Sequence, residues 1–191
     1  MIEEVKKDLQ ESIGVKEKIL SDSLILEKIY RAARLAATSL AQGGRLFACG
    51  NGGSAADAQH IVAELVVKFG KNRKALPALA LMQDPSTVSA ASNDYGYEHV
   101  FERQVEAHGR PGDVLIAIST SGRSPNVNLA VKKAHEMGMK IVYLTGMEPP
   151  PVSQLCDVVI NVPSKSTPRI QESHITIGHI IVDLVEKILF P

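Results

Sequence analysis

The chain has 191 residues, of which 45% are hydrophobic and 22% charged, and its 21 basic side chains balance its 21 acidic ones. This size and composition predict one globular domain and exclude a disordered chain, while a formal net charge of zero argues against a nucleic-acid-binding protein. No apolar stretch approaches the roughly 20 residues that span a bilayer, and the first residues lack the apolar segment of a signal peptide, so we expect a cytoplasmic protein without a membrane partner.

Two helical segments precede the first predicted strand. A segment of mixed acidic and basic residues runs from about Glu3 to Leu20, and a second segment begins near Asp22. The run Ser21-Asp22-Ser23 offers good helix caps, and Gly43-Gly44 is a good helix stop. The pattern therefore predicts a helical N-terminal segment.

Five runs of apolar, β-branched residues alternate with longer segments that can form helices. Each run is apolar throughout rather than alternating in polarity, which is what a strand buried on both faces requires. Parallel strands need crossover connections of this length, so the pattern predicts an α/β fold with a five-stranded parallel sheet flanked by helices. The predicted strands are Arg45 to Cys49, Leu76 to Met82, Val114 to Ile118, Lys140 to Leu144 and Asp157 to Val162.

A long helix is predicted to close the chain. Thr167-Pro168 is typical of a cap followed by proline at the first helical position, and apolar residues then recur to Phe190. No linker rich in proline, glycine or charge divides the sequence, so we predict one domain over residues 1–191. Cys49 and Cys156 are too few for a disulfide framework and are predicted to be buried thiols.

The segment after the first strand, Cys49 to Asp57, is rich in glycine and is called the glycine loop below. In a doubly wound sheet the ligand lies outside the carboxyl ends of the strands, and free amides at a helix start attract an anion. Two interpretations stay open from this loop alone, namely an anion-binding loop and a tight strand-to-helix turn. The stretch Asn93 to Gly96, by contrast, is predicted only as a turn.

The segment after the third strand, Ser119 to Asn126, carries four hydroxyls in six residues and is called the hydroxyl loop below. Pro125 can open a helix directly after these hydroxyls. Hydroxyls and free helix-start amides together form a phosphate site without fixed charge. A solvated serine-rich loop is the alternative, but a parallel strand delivers this loop to the ligand-binding edge of the sheet.

Several side chains offer metal or proton-transfer chemistry. His60 and Glu64 are four residues apart on one predicted helix, about 40° from one another around its axis, so they share a face. Gln171 and His179, on the closing helix, are about 80° apart and converge only on a ligand that lies between them. Each of these residues also has a purely structural interpretation. His60 and Glu64 can form a surface pair, and Gln171 can be a cap partner. On the same closing helix, His179 can be a core residue and His174 an exposed one.

Five motifs are distributed between Cys49 and His179. They are CGNGGSAADAQH at Cys49 to His60, AEL at Ala63 to Leu65, NDYGYE at Asn93 to Glu98, GDVLIAISTSGRSPN at Gly112 to Asn126, and RIQESHI at Arg169 to Ile175 with His179 beyond. Together they resemble the sugar isomerase (SIS) domain family and, within it, the phosphoheptose isomerases of bacterial lipopolysaccharide biosynthesis. The resemblance implies a flavodoxin-like SIS fold, assembled as a homotetramer with active sites at subunit interfaces.

The resemblance also implies a reaction and a site. The reaction converts D-sedoheptulose 7-phosphate into D-glycero-D-manno-heptose 7-phosphate, with one Zn²⁺ per subunit. Glu64 and His179 match the family's proton-transfer pair, and the matches to its zinc ligands are His60, Glu64, Gln171 and His179. The matches to its substrate contacts are Asn51, Gly52, Gly53, Ser54, Glu64, Asn93, Asp94, Ser119, Thr120, Ser121, Ser124 and Gln171, with the phosphate on the four hydroxyls of the hydroxyl loop.

Aldose–ketose interconversion moves a proton between neighbouring carbons through an enediolate. We assign Glu64 the proton on carbon, His179 the protons on the substrate oxygens, and zinc the stabilisation of developing negative charge. Two histidines and a carboxylate suit zinc, while a glutamine oxygen is a weak fourth ligand that substrate can displace. A metal-free acid–base pair is the alternative mechanism.

Three functions compete at this point: the heptose isomerase, an isomerase of another phosphosugar, and a non-catalytic SIS-domain protein that binds the bacterial replication initiator. The initiator-binding branch shares the loops but lacks the catalytic acid and the late histidine. This chain keeps Glu64 and His179, which favours an enzyme. One departure is Pro168, where some family members have an aspartate; it affects a substrate contact and leaves the catalytic set unchanged.

Overall fold

The computed structural model describes residues 1–191 and contains a five-stranded sheet in which every pair of neighbouring strands is parallel. The strands are β1 (Leu46–Gly50), β2 (Ala78–Ala80), β3 (Val114–Ser119), β4 (Lys140–Thr145) and β5 (Val158–Asn161). Their order across the sheet is β2-β1-β3-β4-β5. This flavodoxin-like order confirms the predicted α/β fold.

Helices cover both faces of the sheet. They are α1 (Ile2–Ser21), α2 (Ser23–Ala41), α3 (Gly53–Val66), α4 (Pro85–Tyr95), α5 (Val100–His108), α6 (Pro125–Glu136) and α7 (Thr167–Leu189). The first three and the last pack on one face, and α4, α5 and α6 pack on the other. None of the helices combines the length and the apolarity that crossing a membrane requires.

The central strands contribute to a separate core on each face, because successive side chains of a strand point in opposite directions. In β3, Val114 and Ile116 pack with the core beneath α2, α3 and α7, whereas Leu115 and Ala117 pack with the core beneath α5 and α6. Every residue of β3 is buried. This double burial is the reason why the strands are apolar throughout.

Both cysteines were predicted to be buried thiols, and the structure confirms this for Cys49 but not for Cys156. Cys49, in β1, is fully buried, and Cys156, just before β5, is half-buried. Burial raises the pKa of each thiol to about 12. Little of the reactive thiolate form is therefore present at neutral pH.

Three local predictions were wrong. β2 has three residues instead of the run from Leu76 to Met82, because it is an edge strand that follows Pro77, whose nitrogen has no hydrogen to donate. α7 begins at Thr167, one residue earlier than predicted. Asn93 to Gly96 is not a separate turn but the end of α4, which stops at Gly96 with a φ of 92°.

The strand order creates a crevice between β1 and β3. These strands are neighbours, yet α3, which follows β1, and α6, which follows β3, lie on opposite faces of the sheet. α/β sheets bind their ligands at such a point, outside the carboxyl ends of the strands. The glycine loop and the hydroxyl loop therefore meet at the edge where a ligand is expected.

Candidate active site

The glycine loop is a tight turn between β1 and α3. A Cβ at Gly50 would lie 2.7 Å from the Ser54 carbonyl oxygen, so the turn closes only without a side chain there. Gly52 has a φ of 53°, which also favours glycine. No side chain caps the first turn of α3, and this amino end lies at the carboxyl end of β1, where the positive end of the helix dipole attracts an anion.

The hydroxyl loop gathers serine side chains at the start of α6. Ser119 Oγ lies 2.9 Å from Ser124 Oγ and 3.5 Å from Ser121 Oγ. Ser124 stands at the N-cap position of α6 but makes no side-chain cap, so its hydroxyl remains in this group. Thr120 and Ser121 also line a surface pocket. The loop thus presents clustered hydroxyls at a helix start, as phosphate binding requires.

Two asparagines join the glycine loop to the hydroxyl loop. The Asn51 amide nitrogen donates to Asn126 Oδ1 at 2.9 Å, and the Asn126 amide nitrogen donates back to Asn51 Oδ1 at 2.8 Å. The Tyr97 hydroxyl donates to the same Asn51 oxygen at 3.0 Å. Asn126 is almost fully buried, so this reciprocal pair is a fixed element of the crevice.

His60, Glu64 and His179 form one cluster, although the histidines are 119 residues apart in sequence. α3 carries the first two and α7 the third. His60 Nε2 lies 3.0 Å from His179 Nε2 and 3.4 Å from Glu64 Oε1, and one ligand atom from each residue lies within 4.8 Å of the others. The His60 side chain is 49% exposed, so the cluster is open to solvent.

The geometry of this cluster fits a zinc ion. Ligand atoms around a tetrahedral Zn²⁺ with bonds of about 2.0 to 2.1 Å lie about 3.3 Å apart. The two separations from His60 Nε2, 3.0 Å to His179 and 3.4 Å to Glu64, match that spacing, and all three ligand atoms lie within 4.8 Å of one another. Two imidazoles and a carboxylate are also a donor set that zinc prefers. The 3.0 Å distance between the imidazoles equally suits a hydrogen bond from one ring to the other.

Gln171 reaches the same region from α7. Its amide lies directly over Gly53, where a Cβ would come within 2.3 to 2.5 Å of the amide atoms. The Asp57 carboxyl group lies close to the Gln171 amide, and its Oδ2 is buried without a hydrogen-bond partner. Burial raises the pKa of Asp57 to about 6, although the nearby Gln171 amide and the charge of His60 oppose that rise.

Asn93 and Asp94 lie apart from the two loops. They occupy the last turn of α4, where the Asn93 amide donates to Asp94 Oδ1 at 2.9 Å, and both side chains are exposed. Neither makes a hydrogen bond to the glycine loop or the hydroxyl loop. Their link to the crevice runs through Tyr97, two residues beyond α4, which contacts Asn51.

The structure overturns two structural interpretations of the α7 histidines. His174 is fully buried rather than exposed, and its Nε2 lies 3.0 Å from the Thr145 carbonyl oxygen. Burial lowers the pKa of His174 to about 4, despite that hydrogen bond, so this imidazole is neutral at pH 7. His179 is not a core residue, because it is only half-buried and faces His60.

Three polar residues of the crevice were missed by the sequence analysis. Asn126 ties the loops together, Tyr97 contacts Asn51, and Asp57 contacts Gln171. All three lie inside the motifs quoted above. Two of them, Asn126 and Asp57, occupy buried positions of helices, and a polar side chain at such a position was the available signal.

Comparisons with known proteins identify the family. The SIS domain family model matches residues 15–146. Phosphoheptose isomerase from Clostridium acetobutylicum is 49% identical over 186 residues, which cover 97% of this chain and 95% of that protein. The solved structures of phosphoheptose isomerases from Neisseria gonorrhoeae (TM-score 0.89, 43% identity) and Francisella tularensis (TM-score 0.93, 34% identity) each match 97% of this chain and 98% of theirs. The chain therefore belongs to the SIS domain family and, within it, to the phosphoheptose isomerases.

Proposed function

We propose that this protein is an aldose–ketose isomerase that converts D-sedoheptulose 7-phosphate into D-glycero-D-manno-heptose 7-phosphate. The observation that carries the proposal is the cluster of His60, Glu64 and His179 in a chain that is about half identical to phosphoheptose isomerases. A protein that only binds a phosphosugar has no need of a carboxylate and two imidazoles within reach of one another. The cluster therefore favours catalysis over the initiator-binding alternative.

In the proposed complex the hydroxyl loop binds the phosphate and the glycine loop lies along the sugar chain. Clustered hydroxyls at the start of α6 can donate to several phosphate oxygens at once. The full set of proposed substrate contacts is Asn51, Gly52, Gly53, Ser54, Glu64, Asn93, Asp94, Ser119, Thr120, Ser121, Ser124 and Gln171. The whole chain, residues 1–191, would act as a single SIS domain.

Glu64 and His179 are the proposed proton-transfer pair. The Glu64 carboxylate removes the proton from the carbon next to the substrate carbonyl, which leaves an enediolate. The same carboxyl then returns that proton to the neighbouring carbon. His179 exchanges protons with the two substrate oxygens, so that the carbonyl and the hydroxyl change places without a net gain or loss of protons.

One zinc ion per subunit is proposed, held by His60, Glu64, Gln171 and His179. Bound zinc would supply positive charge against the negative charge that develops on the substrate oxygens. Gln171 is the weakest donor of the four, and the Asp57 carboxyl group lies close to its amide. In the alternative without metal, His60 would instead hold the His179 ring by the 3.0 Å contact between them.

A homotetramer with active sites at subunit interfaces is also proposed. α1 carries an outward row of apolar side chains, Ile2, Val5, Leu9 and Ile13, each more than half exposed. Their spacing of three and four residues places them on one face of the helix, which a second copy can cover. The setting, as the resemblance implies, is heptose synthesis for lipopolysaccharide in the cytoplasm.

The activity is tested with purified protein and sedoheptulose 7-phosphate, with and without added zinc. Ketose phosphates with five and six carbons serve as competing substrates, and the seven-carbon sugar is expected to have the highest kcat/KM. A higher kcat/KM with a shorter sugar would identify an isomerase of another phosphosugar.

Replacing the proposed base tests the mechanism. Glu64→Gln removes a carboxylate but little volume, so we expect kcat to fall by at least about a hundredfold, as general-base loss predicts. The variant should still fold and bind the phosphosugar. Glu136→Gln, which changes an exposed carboxylate on α6, is the matched control and should keep full activity. Near-normal turnover by Glu64→Gln would remove this residue from the mechanism.

A further inference from the structure

A buried ion pair joins the chain after α3 to α7, below the cluster of His60, Glu64 and His179. Arg73 Nε donates to Glu186 Oε2 at 2.8 Å, and the two side chains are 1% and 3% exposed. Glu186 is seven residues after His179, which is two helical turns and nearly the same face of α7. The pair thus lies two helical turns beyond His179, on the same side of α7.

Arg73 also binds the end of α3. Its Nη2 donates to the Glu64 carbonyl oxygen at 2.9 Å, and its Nη1 donates to the Leu65 carbonyl oxygen at 2.9 Å. The last carbonyls of a helix have no partner within the helix, so a side chain that satisfies them fixes the position of the final turn. Glu64 belongs to that turn, which means that Arg73 holds the backbone of a cluster residue.

Glu186 gathers the loop that follows α3. Its carboxylate accepts hydrogen bonds from three successive amides, those of Phe69, Gly70 and Lys71. In this arrangement the Phe69 ring lies 5.7 Å from the His179 ring, measured between the ring centres. Burial would raise the pKa of Glu186, but the three amides and Arg73 outweigh it and lower the pKa to about 2, so the carboxylate stays ionised.

The hydrogen bonds of this buried pair connect it to two parts of the cluster. Desolvation makes a buried ion pair a weak source of stability, and apolar residues of similar volume often serve as well. Here every hydrogen bond of the pair goes either to the turn that carries Glu64 or to the loop that contacts His179. The Lys74 carbonyl oxygen, which Arg73 Nη1 also binds, belongs to the same loop.

We propose that Arg73 and Glu186 are positioning residues that hold the last turn of α3 against α7, and thereby set the separation of Glu64 and His179. Neither touches the substrate; both act through the cluster. The proposal rests on the proposed function only for its effect on turnover, because the separation of the ligand atoms also governs the affinity of the cluster for Zn²⁺ alone.

The decisive variant is Arg73→Lys, which keeps the charge opposite Glu186 and removes the fork that binds the Glu64 and Leu65 carbonyls. We expect its affinity for Zn²⁺, measured by competition with a chelator, to fall at least tenfold. We expect kcat to fall at least tenfold as well, with a change in KM below threefold, because the hydroxyl loop is untouched. Glu186→Gln, which also frees the loop at Phe69, should show the same pattern.

The control is Asp183→Asn, which breaks the exposed pair of Lys187 and Asp183 on the same helix and should leave zinc affinity and kcat within twofold of wild type. Thermal unfolding separates a structural effect from a positioning effect. A lowered melting temperature with unchanged zinc affinity and kcat in Arg73→Lys would overturn the proposal. If Glu186→Gln does not fold, the result for Arg73→Lys alone decides.

Wild-type protein that binds zinc but does not isomerise heptose phosphate would refute the proposed function. The zinc-affinity test of Arg73 and Glu186 would remain valid in that case.

Discussion

At the scale of single residues, the missing side chain of Gly53 makes room for the Gln171 amide. The amide atoms lie where the first atom of any larger residue would be. Gly53 does not have a positive φ, so its role is steric rather than conformational. A methyl group at this position therefore tests the place of Gln171 without straining the backbone.

Gly53→Ala should displace Gln171 while leaving the fold intact. A Cβ at 2.3 to 2.5 Å from the amide forces that flexible side chain to rotate away. We expect zinc affinity to fall severalfold and the free energy of unfolding to change by less than about 1 kcal/mol, because Gly53 is exposed and the clashing atoms are the far end of a flexible side chain. Isothermal titration with zinc and urea denaturation measure the two quantities. Unchanged zinc affinity would mean that Gln171 is not a ligand.

His174 makes the stability of the protein depend on pH. Its pKa is about 4 in the folded chain, against 6.5 for an ordinary imidazole, so the unfolded chain binds the proton more strongly. The neutral imidazole contributes stability that is complete above pH 6.5 and is lost as the pH falls towards 4. The loss reaches about 3 kcal/mol, since each pKa unit corresponds to about 1.4 kcal/mol.

His174→Gln should abolish this contribution, because an amide can donate to the Thr145 carbonyl oxygen without titrating. The measurement is the free energy of unfolding of both proteins at pH 7, 5.5 and 4.5. Asp57, whose raised pKa acts in the opposite direction, is present in both proteins and cancels in the difference. The free energy of unfolding of wild type should fall relative to that of His174→Gln as the pH falls. If the two free energies instead keep a constant difference, His174 is protonated in the folded chain.

At the scale of elements, α3 and α7 cross at Gly178. A Cβ there would lie 2.6 Å from Ile61 Cδ1, and Ile61 is fully buried. The close crossing brings His179, the next residue of α7, up to His60, the residue before Ile61 on α3. The cluster thus depends on how closely the two helices approach.

Gly178→Val should destabilise the protein and weaken the cluster together. Filling a close helix contact costs about 1 to 3 kcal/mol, which exceeds any gain from helix propensity. Gly14→Val in α1 is the matched control, because a Cβ at Gly14 meets no atom within 4 Å. Urea denaturation and zinc binding should therefore show losses for the first variant and little change for the second. Equal stability of the two variants would contradict the close crossing.

The elements also show how far sequence reasoning reaches. The continuous apolar runs predicted the parallel sheet, and helical spacing alone placed His60 and Glu64 on one face. Neither signal predicted that His179 lies beside these two residues, because that contact depends on the packing of two helices distant in sequence. His174 was misjudged for a related reason: α7 is buried over much of its circumference, and periodicity does not distinguish its inner faces. The short length of β2 depended on its place at the edge of the sheet.

At the scale of the whole molecule, the outward apolar row of α1 and the half-exposed His60 both face solvent in the single chain. An apolar row of this kind on a helix surface is typical of an interface between copies. α1 itself is held to the rest of the chain by Val15 and Ile19 near its carboxyl end, and its first half makes little contact with the core. Assembly would bury that half.

Leu9→Arg should weaken the proposed tetramer. The change places a charge in the middle of the outward row, where burial against a second copy requires an apolar side chain. Sedimentation should show smaller species for Leu9→Arg and an unchanged tetramer for the neighbouring control Gln10→Arg. Wild-type protein that sediments as an active monomer would contradict both the interface and the shared active site.

The two thiols differ in burial, and this difference makes them internal reporters of motion. Cys49, in the inner strand β1 at the start of the glycine loop, can meet an alkylating reagent only when the sheet itself opens. Cys156, at the margin of the sheet before β5, needs only a local opening. The labelling rate of Cys156 should therefore exceed that of Cys49, and bound substrate or zinc should slow Cys49 most. Brief exposure to oxidants should accordingly leave the Cys49 thiol of the folded protein unmodified. Oxidation of Cys49 would therefore indicate that the sheet has opened around β1.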